Sequence, residues 1–143
     1  MSETRRIPAD DLREFVVGLA ERLGTPSDIA AVVATTLVNA DLAGHTSHGV
    51  FQLPNYLSAI EQGTLIPDAR PGIEREMTAS AVVDAQSGWG HYSAWWTMCR
   101  LIEKARGAGV ACASIGGVQH VGRLGEYAEQ AAAAGCVGII SVA

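Results

Sequence analysis

The sequence predicts an α/β chain, with an N-terminal helical hairpin followed by the start of an α/β domain. Three observations predict this. From Leu12 to Ala40, apolar residues recur at helical spacing with two start signals and two glycine stops. Beyond Ala81, apolar runs of strand length alternate with helical patterns. Two blocks, Asp41 to Val50 and Gln119 to Gly125, each set a histidine beside glycines where a helix is expected to begin.

The first helix opens at Pro8, a position that tolerates proline. Leu12, Phe15, Val16, Leu19 and Leu23 form its apolar stripe, and Gly24 ends it. Thr25-Pro26-Ser27-Asp28 reads as a second start, with Thr25 as cap. Ile29, Val32, Val33, Thr36, Leu37 and Ala40 form the buried face, and Gly44 is the stop. A third helical segment runs through Tyr56 and Ile60 to Gly63. If it starts at Ser47, then His48, Gln52 and Tyr56 share one face. If Pro54 opens it, His48 lies in a preceding loop. Residues 67–72 are linker-like and divide the chain into a helical segment, 1–66, and an incomplete α/β part, 67–143.

Ala81 to Asp84 reads as a short strand, and Gln86 to Gly90 as a turn. His91 to Arg106 is a helix with Trp95, Met98, Ile102 and Ala105 at helical spacing. Val110 to Ile115 is a strand, Gly116 to Gly122 a loop, and Leu124 to Ala134 a helix. Val137 to Val142 reads as a buried strand, so a right-handed parallel crossover from 110–115 to 137–142 is expected. Because this apolar run meets no turn before Ala143, the chain reads as the first part of a longer polypeptide, or as one whose remainder is supplied by another chain.

The bulk numbers exclude several classes. With 143 residues the chain can bury one real core. Ten Lys and Arg against 15 Asp and Glu give a net charge of −5, which argues against nucleic acid as a partner. Cys99, Cys112 and Cys136 are too far apart for a zinc pattern, and so sparse a set suits a reducing, cytoplasmic setting. Met1 to Arg6 lacks the apolar core of a signal peptide. No apolar run reaches the ~18–20 residues of a membrane span.

His120 follows a strand and precedes a helix, the position where open α/β sheets bind ligands. Imidazole titrates near neutrality and can exchange a proton with an alcohol or carbonyl oxygen. Gly122 and Gly125 leave room for a close approach, yet the pattern is not GxGxxG. A loop histidine capping a helix accounts for the same residues. Ser47 and His48 are adjacent, and no GxSxG elbow accompanies them, so a hydrolase is disfavoured. A hydroxyl that fixes an imidazole is the better role, with a helix cap as the plainer one. Tyr56 suits a ligand contact or a half-buried core position, and Arg123 an anion or a surface ion pair. Trp89 reads as a packing anchor, Trp95 and Trp96 as mostly core, His45 and His91 as solvated or capping residues, and Asp41 as a local hydrogen-bonding group.

The run Asp41-Leu42-Ala43-Gly44-His45-Thr46-Ser47-His48-Gly49-Val50, with Pro54 and Tyr56 behind it, resembles the signature of the malate/L-lactate dehydrogenase family. Val83-Asp84 with Gly88-Trp89-Gly90, and the run from His120 to Ala128, continue the likeness across residues 8 to 143. The resemblance implies a non-Rossmann α/β fold of the sulfolactate-dehydrogenase type. It also implies a homodimer and NAD- or NADP-dependent interconversion of a 2-hydroxy acid and a 2-keto acid. Reduction of a cyclic imino acid and a ureidoglycolate-type oxidation are the alternatives. By the same resemblance His120, or His48 supported by Ser47, handles the proton. His120, Val121, Gly122, Arg123 and Leu124 line the cofactor, and His48, Gln52 and Tyr56 meet the substrate. Gln52 stands where the family often carries an arginine, which would clamp a carboxylate with two parallel bonds. Family members also run to more than twice this length. A non-catalytic fragment, or a subunit that only dimerises or binds a small acid, is therefore the competing expectation.

Overall fold

A computed structural model of the chain describes residues 6–142. The reading of Met1 to Arg5 and the last residue of the apolar run, Ala143, lie outside the described residues. The described chain runs α1 (Ala9–Arg22), α2 (Ser27–Leu42), two 3₁₀ turns (Thr46–His48 and Val50–Gln52), α3 (Leu53–Glu61), β1 (Gly72–Glu76), β2 (Ser80–Asp84), α4 (Gly90–Ala108), β3 (Cys112–Gly116) and α5 (Gly125–Ala133).

The helical hairpin forms as its periodicity predicts. Helices α1 and α2 pack together across the short connection from Leu23 to Pro26. Ile29, Val33, Thr36, Leu37 and Ala40 are buried on α2, and Val16 and Ala20 on α1, while Phe15 points outward. Thr25 is not a helix cap. Pro26 takes that position without a side-chain bond, and the buried Thr25 hydroxyl instead accepts from the Trp89 indole N–H at 3.0 Å. That bond satisfies two polar groups that burial would otherwise strand. It also fixes Trp89 in the main core with Val16, Ile29, Leu37, Tyr56 and Leu65.

The third helical segment follows the second of its two sequence readings. Pro54 sits in the first turn of α3, where its missing N–H costs nothing. His48 ends a separate 3₁₀ turn ahead of it.

The sheet has the order β1-β2-β3. β1 is antiparallel to β2, with Gly72 opposite Asp84 and a register shift between Ile73 and Arg75. β2 is parallel to β3, with Ser80 opposite Cys112 and Asp84 opposite Gly116. Helix α4 makes the crossover between them. β1 was invisible to pattern reading because Glu74, Arg75 and Glu76 are all exposed, and charge of this kind is usual on an edge strand.

The expected crossover from 110–115 to 137–142 is corrected by the structure. β3 begins at Cys112 and finds its parallel partner in β2, while residues 137–142 form no strand. A cleft of about 500 Å³ is lined by residues of both β3 and this segment. Met98, Leu101, Ser114, Ile115 and Tyr127 line the cleft, with Ile139 to Val142 on its other wall. Ile140 packs inward against the cluster of Met98, Tyr127 and Ala131, whereas Val137 and Ile139 are each 92% exposed. The composition suits a strand, but pairing is a tertiary event.

Both parallel strands end on one side of the sheet, and the loops leaving them touch. The start of α4 presses on the loop after β3, so that a Cβ at Gly90 would collide with the carbonyl oxygens of Gln119 and His120. Gly90→Ala should therefore lower thermal stability by roughly 1–3 kcal/mol or more, the range for overpacking. Melting the variant beside the parent protein by circular dichroism checks this, and an unchanged transition would contradict the close packing.

Candidate functional site

Four side chains from four elements of the chain converge beyond the carboxyl ends of β2 and β3. His48 comes from the first 3₁₀ turn, Tyr56 from α3, His91 from the first turn of α4, and His120 from the loop after β3. The His48 and His120 rings lie 5.4 Å apart, and the His91 and His120 rings 6.2 Å apart. The Tyr56 hydroxyl stands 2.7 Å from His120 Nδ1 and 3.3 Å from His91 Nε2. The two histidines singled out in the sequence thus share one site, and a third joins them.

Local bonds hold the His48 turn. The Ser47 hydroxyl meets His48 Nδ1 at 3.0 Å, so the adjacent side chains do not diverge here. The Gln52 amide donates to the Ser47 carbonyl at 2.6 Å and accepts from Asn55 at 2.7 Å. Asp41 takes the local role expected of it and accepts the Val50 N–H at 3.0 Å. His45 is exposed, with Nδ1 beside the Ala43 carbonyl.

The His120 loop is shaped around His91. Gly122 has φ +73, and a Cβ there would stand 2.8 Å from His91 Cδ2. A left-handed residue with no side chain is required at that point. Val121 offers its carbonyl to the Tyr127 hydroxyl, which pins the loop to α5. Arg123 does not face the opening as a bare charge. Its guanidinium pairs with Glu129 at 2.6 Å and with Glu126 at 3.1 Å. Those carboxylates hold its pKa above the ordinary arginine value. Asn39 donates to Glu126 at 2.8 Å and accepts from Arg13, which extends the network to α2 and α1.

Burial sets the protonation pattern. Tyr56 is 5% exposed, and desolvation raises its hydroxyl well above the usual tyrosine value. His91 is fully buried, and desolvation pushes it down to about 3, with the nearby His120 acting in the same direction. His120 reaches solvent at the rim, but partial desolvation, and then repulsion from His48, still lower its pKa. Burial therefore biases His91 and His120 toward the neutral imidazole.

Sequence reasoning underrated His91, which it placed at the surface or at a cap. No local pattern in Gly88-Trp89-Gly90-His91 marks the histidine as buried; the tight backbone contacts at Gly90 and Gly122 do. Trp89 is core, as expected, whereas Trp95 lies at the surface beside Tyr92, with ring centroids 5.6 Å apart.

The sequence profile described as malate/L-lactate dehydrogenase matches residues 7–143. The chain belongs to the malate/L-lactate dehydrogenase family. It is 40% identical over 134 residues to a malate dehydrogenase of Pyrococcus abyssi, covering 94% of this chain and 37% of that protein. It is 34% identical over 139 residues to hydroxycarboxylate dehydrogenase B of Escherichia coli K12, covering 97% and 38%. The structure superposes on malate dehydrogenase from Entamoeba histolytica with a TM-score of 0.91 at 32% identity, covering 94% of this chain and 37% of that one. It also matches Δ1-piperideine-2-carboxylate reductase from Pseudomonas syringae pvar. tomato, with a TM-score of 0.80 at 32% identity, covering 90% and 40%. The chain thus spans between a third and two fifths of the length of these relatives. Its mixed α/β architecture is that of the family. Among the described residues no helix is long and apolar enough to cross a membrane, and no cluster of His, Cys, Asp and Glu could hold a metal ion.

The buried His91 should leave a mark on stability. The folded state resists its protonation down to about pH 3, whereas an unfolded histidine binds a proton near 6.5. Between these values the unfolded state holds more protons, so stability falls as pH drops, by up to about 1.4 kcal/mol per pH unit. Urea unfolding of the parent protein and of His91→Gln between pH 7 and 4.5 should show a shallower fall for the variant. Parallel curves would show that His91 is not the group responsible.

Proposed function

We propose that this chain carries the proton-handling half of an NAD- or NADP-dependent oxidoreductase that interconverts a 2-hydroxy acid and a 2-keto acid. The single observation that supports this most is the 5.4 Å approach of His48 and His120 in a family whose members are malate and hydroxycarboxylate dehydrogenases. Two imidazoles at one opening suit a reaction that needs a proton placed on, or removed from, a single oxygen. A nicotinamide cofactor, when bound, supplies or accepts the hydride.

In this reading His120 and His48 are the catalytic pair, and Ser47 fixes the His48 ring through its Nδ1. His48 and Gln52 meet the substrate, and Tyr56 acts on it through His120. The stretch from His120 through Val121, Gly122, Arg123 and Leu124 borders the cofactor. Its chemistry fits the ring end of a nicotinamide better than the pyrophosphate, because Glu126 and Glu129 already neutralise Arg123. Residues 1–66 then form the helical segment and 67–143 the first part of the cofactor and substrate unit. The working protein is a cytoplasmic homodimer. A cyclic imino acid is the second substrate class, supported by the likeness to the piperideine-2-carboxylate reductase. An imine nitrogen needs the same proton that a carbonyl oxygen needs.

Loss of a positioned general acid or base costs ~10²–10⁴-fold in rate. His120→Ala and His48→Ala in the full polypeptide should each lower kcat within that range for pyruvate-like or oxaloacetate-like acids while the melting temperature holds. Nicotinamide absorbance follows turnover, and parental rates in both variants would end the assignment. Gln52→Arg adds a carboxylate clamp and should shift kcat/KM toward simple 2-keto acids. An unaltered ranking over a panel of acids would remove Gln52 from the substrate site.

A further inference from the structure

One oxygen in the site serves two imidazoles and has only one hydrogen to give. The Tyr56 hydroxyl lies between His120 Nδ1 at 2.7 Å and His91 Nε2 at 3.3 Å. It must donate to one ring and accept from the other. The short contact has the length of an O–H donor bond, and the long one that of a weak N–H bond. A second observation selects the same direction. Among the described residues, His91 Nδ1 is buried with no hydrogen-bond partner. A buried N–H without a partner is the rarer and costlier orphan, and a bare lone pair is easier to leave unpaired. The His91 proton therefore belongs on Nε2.

We propose that His91 is a positioning residue that works through Tyr56. Its Nε2–H donates to the Tyr56 oxygen, Tyr56 donates to His120 Nδ1, and His120 is held with its own proton on Nε2, the ring nitrogen turned away from Tyr56. This rests on the reading that His120 works on a substrate oxygen, and it adds which nitrogen of His120 carries the proton there. The titratable groups facing His120 are His48 from the 3₁₀ turn, Tyr56 from α3 and His91 from α4. Burial keeps the Tyr56 hydroxyl protonated and His91 neutral, so the direction of the chain does not reverse near neutral pH. The shape of the site agrees. Gly122 admits the His91 ring beneath the loop, and Trp89 and Tyr56 pack against that ring at 6.3 and 5.3 Å between centroids. Rotation of the ring would break the contact with the hydroxyl.

Histidine ¹⁵N–¹H multiple-bond spectra of the full polypeptide read the tautomers directly. We expect His120 and His91 both to carry the proton on Nε2, with His91 not titrating down to pH 5. Tyr56→Phe should populate the Nδ1–H form of His120 and, by removing a hydrogen bond accepted only by the neutral ring, move its titration midpoint upward. His91→Leu should move both in the same direction, whereas His91→Gln, whose amide N–H can replace the donor, should keep the parental tautomer. His120 protonated on Nδ1 in the parent protein overturns the proposal without any variant. So does a folded His91→Leu protein whose His120 tautomer is unchanged. An inactive protein with the expected tautomers would retire the dehydrogenase reading and leave the lock standing. An active one with the opposite tautomer would do the reverse.

Discussion

The structure depends on how closely α4 starts against the loop that carries His120. Gly90 allows that approach because no other residue fits beneath the Gln119 and His120 carbonyls. The next residue, His91, is fully buried, with its ring close against Gly122 of the same loop. His91 is therefore buried by the backbone around it and not by its own chemistry. Its desolvation follows, and with it the neutral imidazole beside Tyr56. Trp89, on the other side of Gly90, enters the main core and reaches back to Thr25 at the start of α2. A single tight contact between an α/β loop and a helix start thus fixes the helical hairpin, the core tryptophan and the floor of the site together.

Much of this was legible in the amino-acid order, for reasons that differ by element. α1 and α2 were readable because long amphipathic periods and glycine stops are local signals. β2 and most of β3 were readable because each is a short, largely apolar run bounded by turn signals, although only β2 is buried at alternate positions. β1 was not, since an edge strand of Glu and Arg satisfies its pairing through backbone alone. Residues 137–142 mislead in the opposite direction. Val137, Ile139 and Ile140 have a strand's composition, but a ladder also needs a neighbour within hydrogen-bonding reach.

The site divides in the same way. His48 and His120 announced themselves by type and by position relative to elements, and the structure brings their rings together. His91 was hidden because a lone histidine at a helix start is usually a surface residue. Only the close backbone approach, which no periodicity records, turns it inside. The Tyr56 hydroxyl, noticed as a ligand contact, bonds to His120 and lies near His91. Thr25 shows the same limit on a smaller scale. The Thr-Pro-Ser-Asp pattern marks a helix start correctly, while the hydroxyl itself is claimed by an indole 64 residues away.

The pairing of Arg123 carries one more consequence. Its guanidinium is 12% exposed and held between Glu126 and Glu129. The groups this part of the chain offers beside the histidines are hydroxyls, imidazoles and an amide. An acidic ligand arriving here would be gripped by oriented dipoles and not by a fixed ionic partner. Dipole contacts fall off more steeply with distance than contacts between fixed charges, so capture of such a ligand by these groups would not rest on long-range attraction. It would instead be sensitive to small changes in shape.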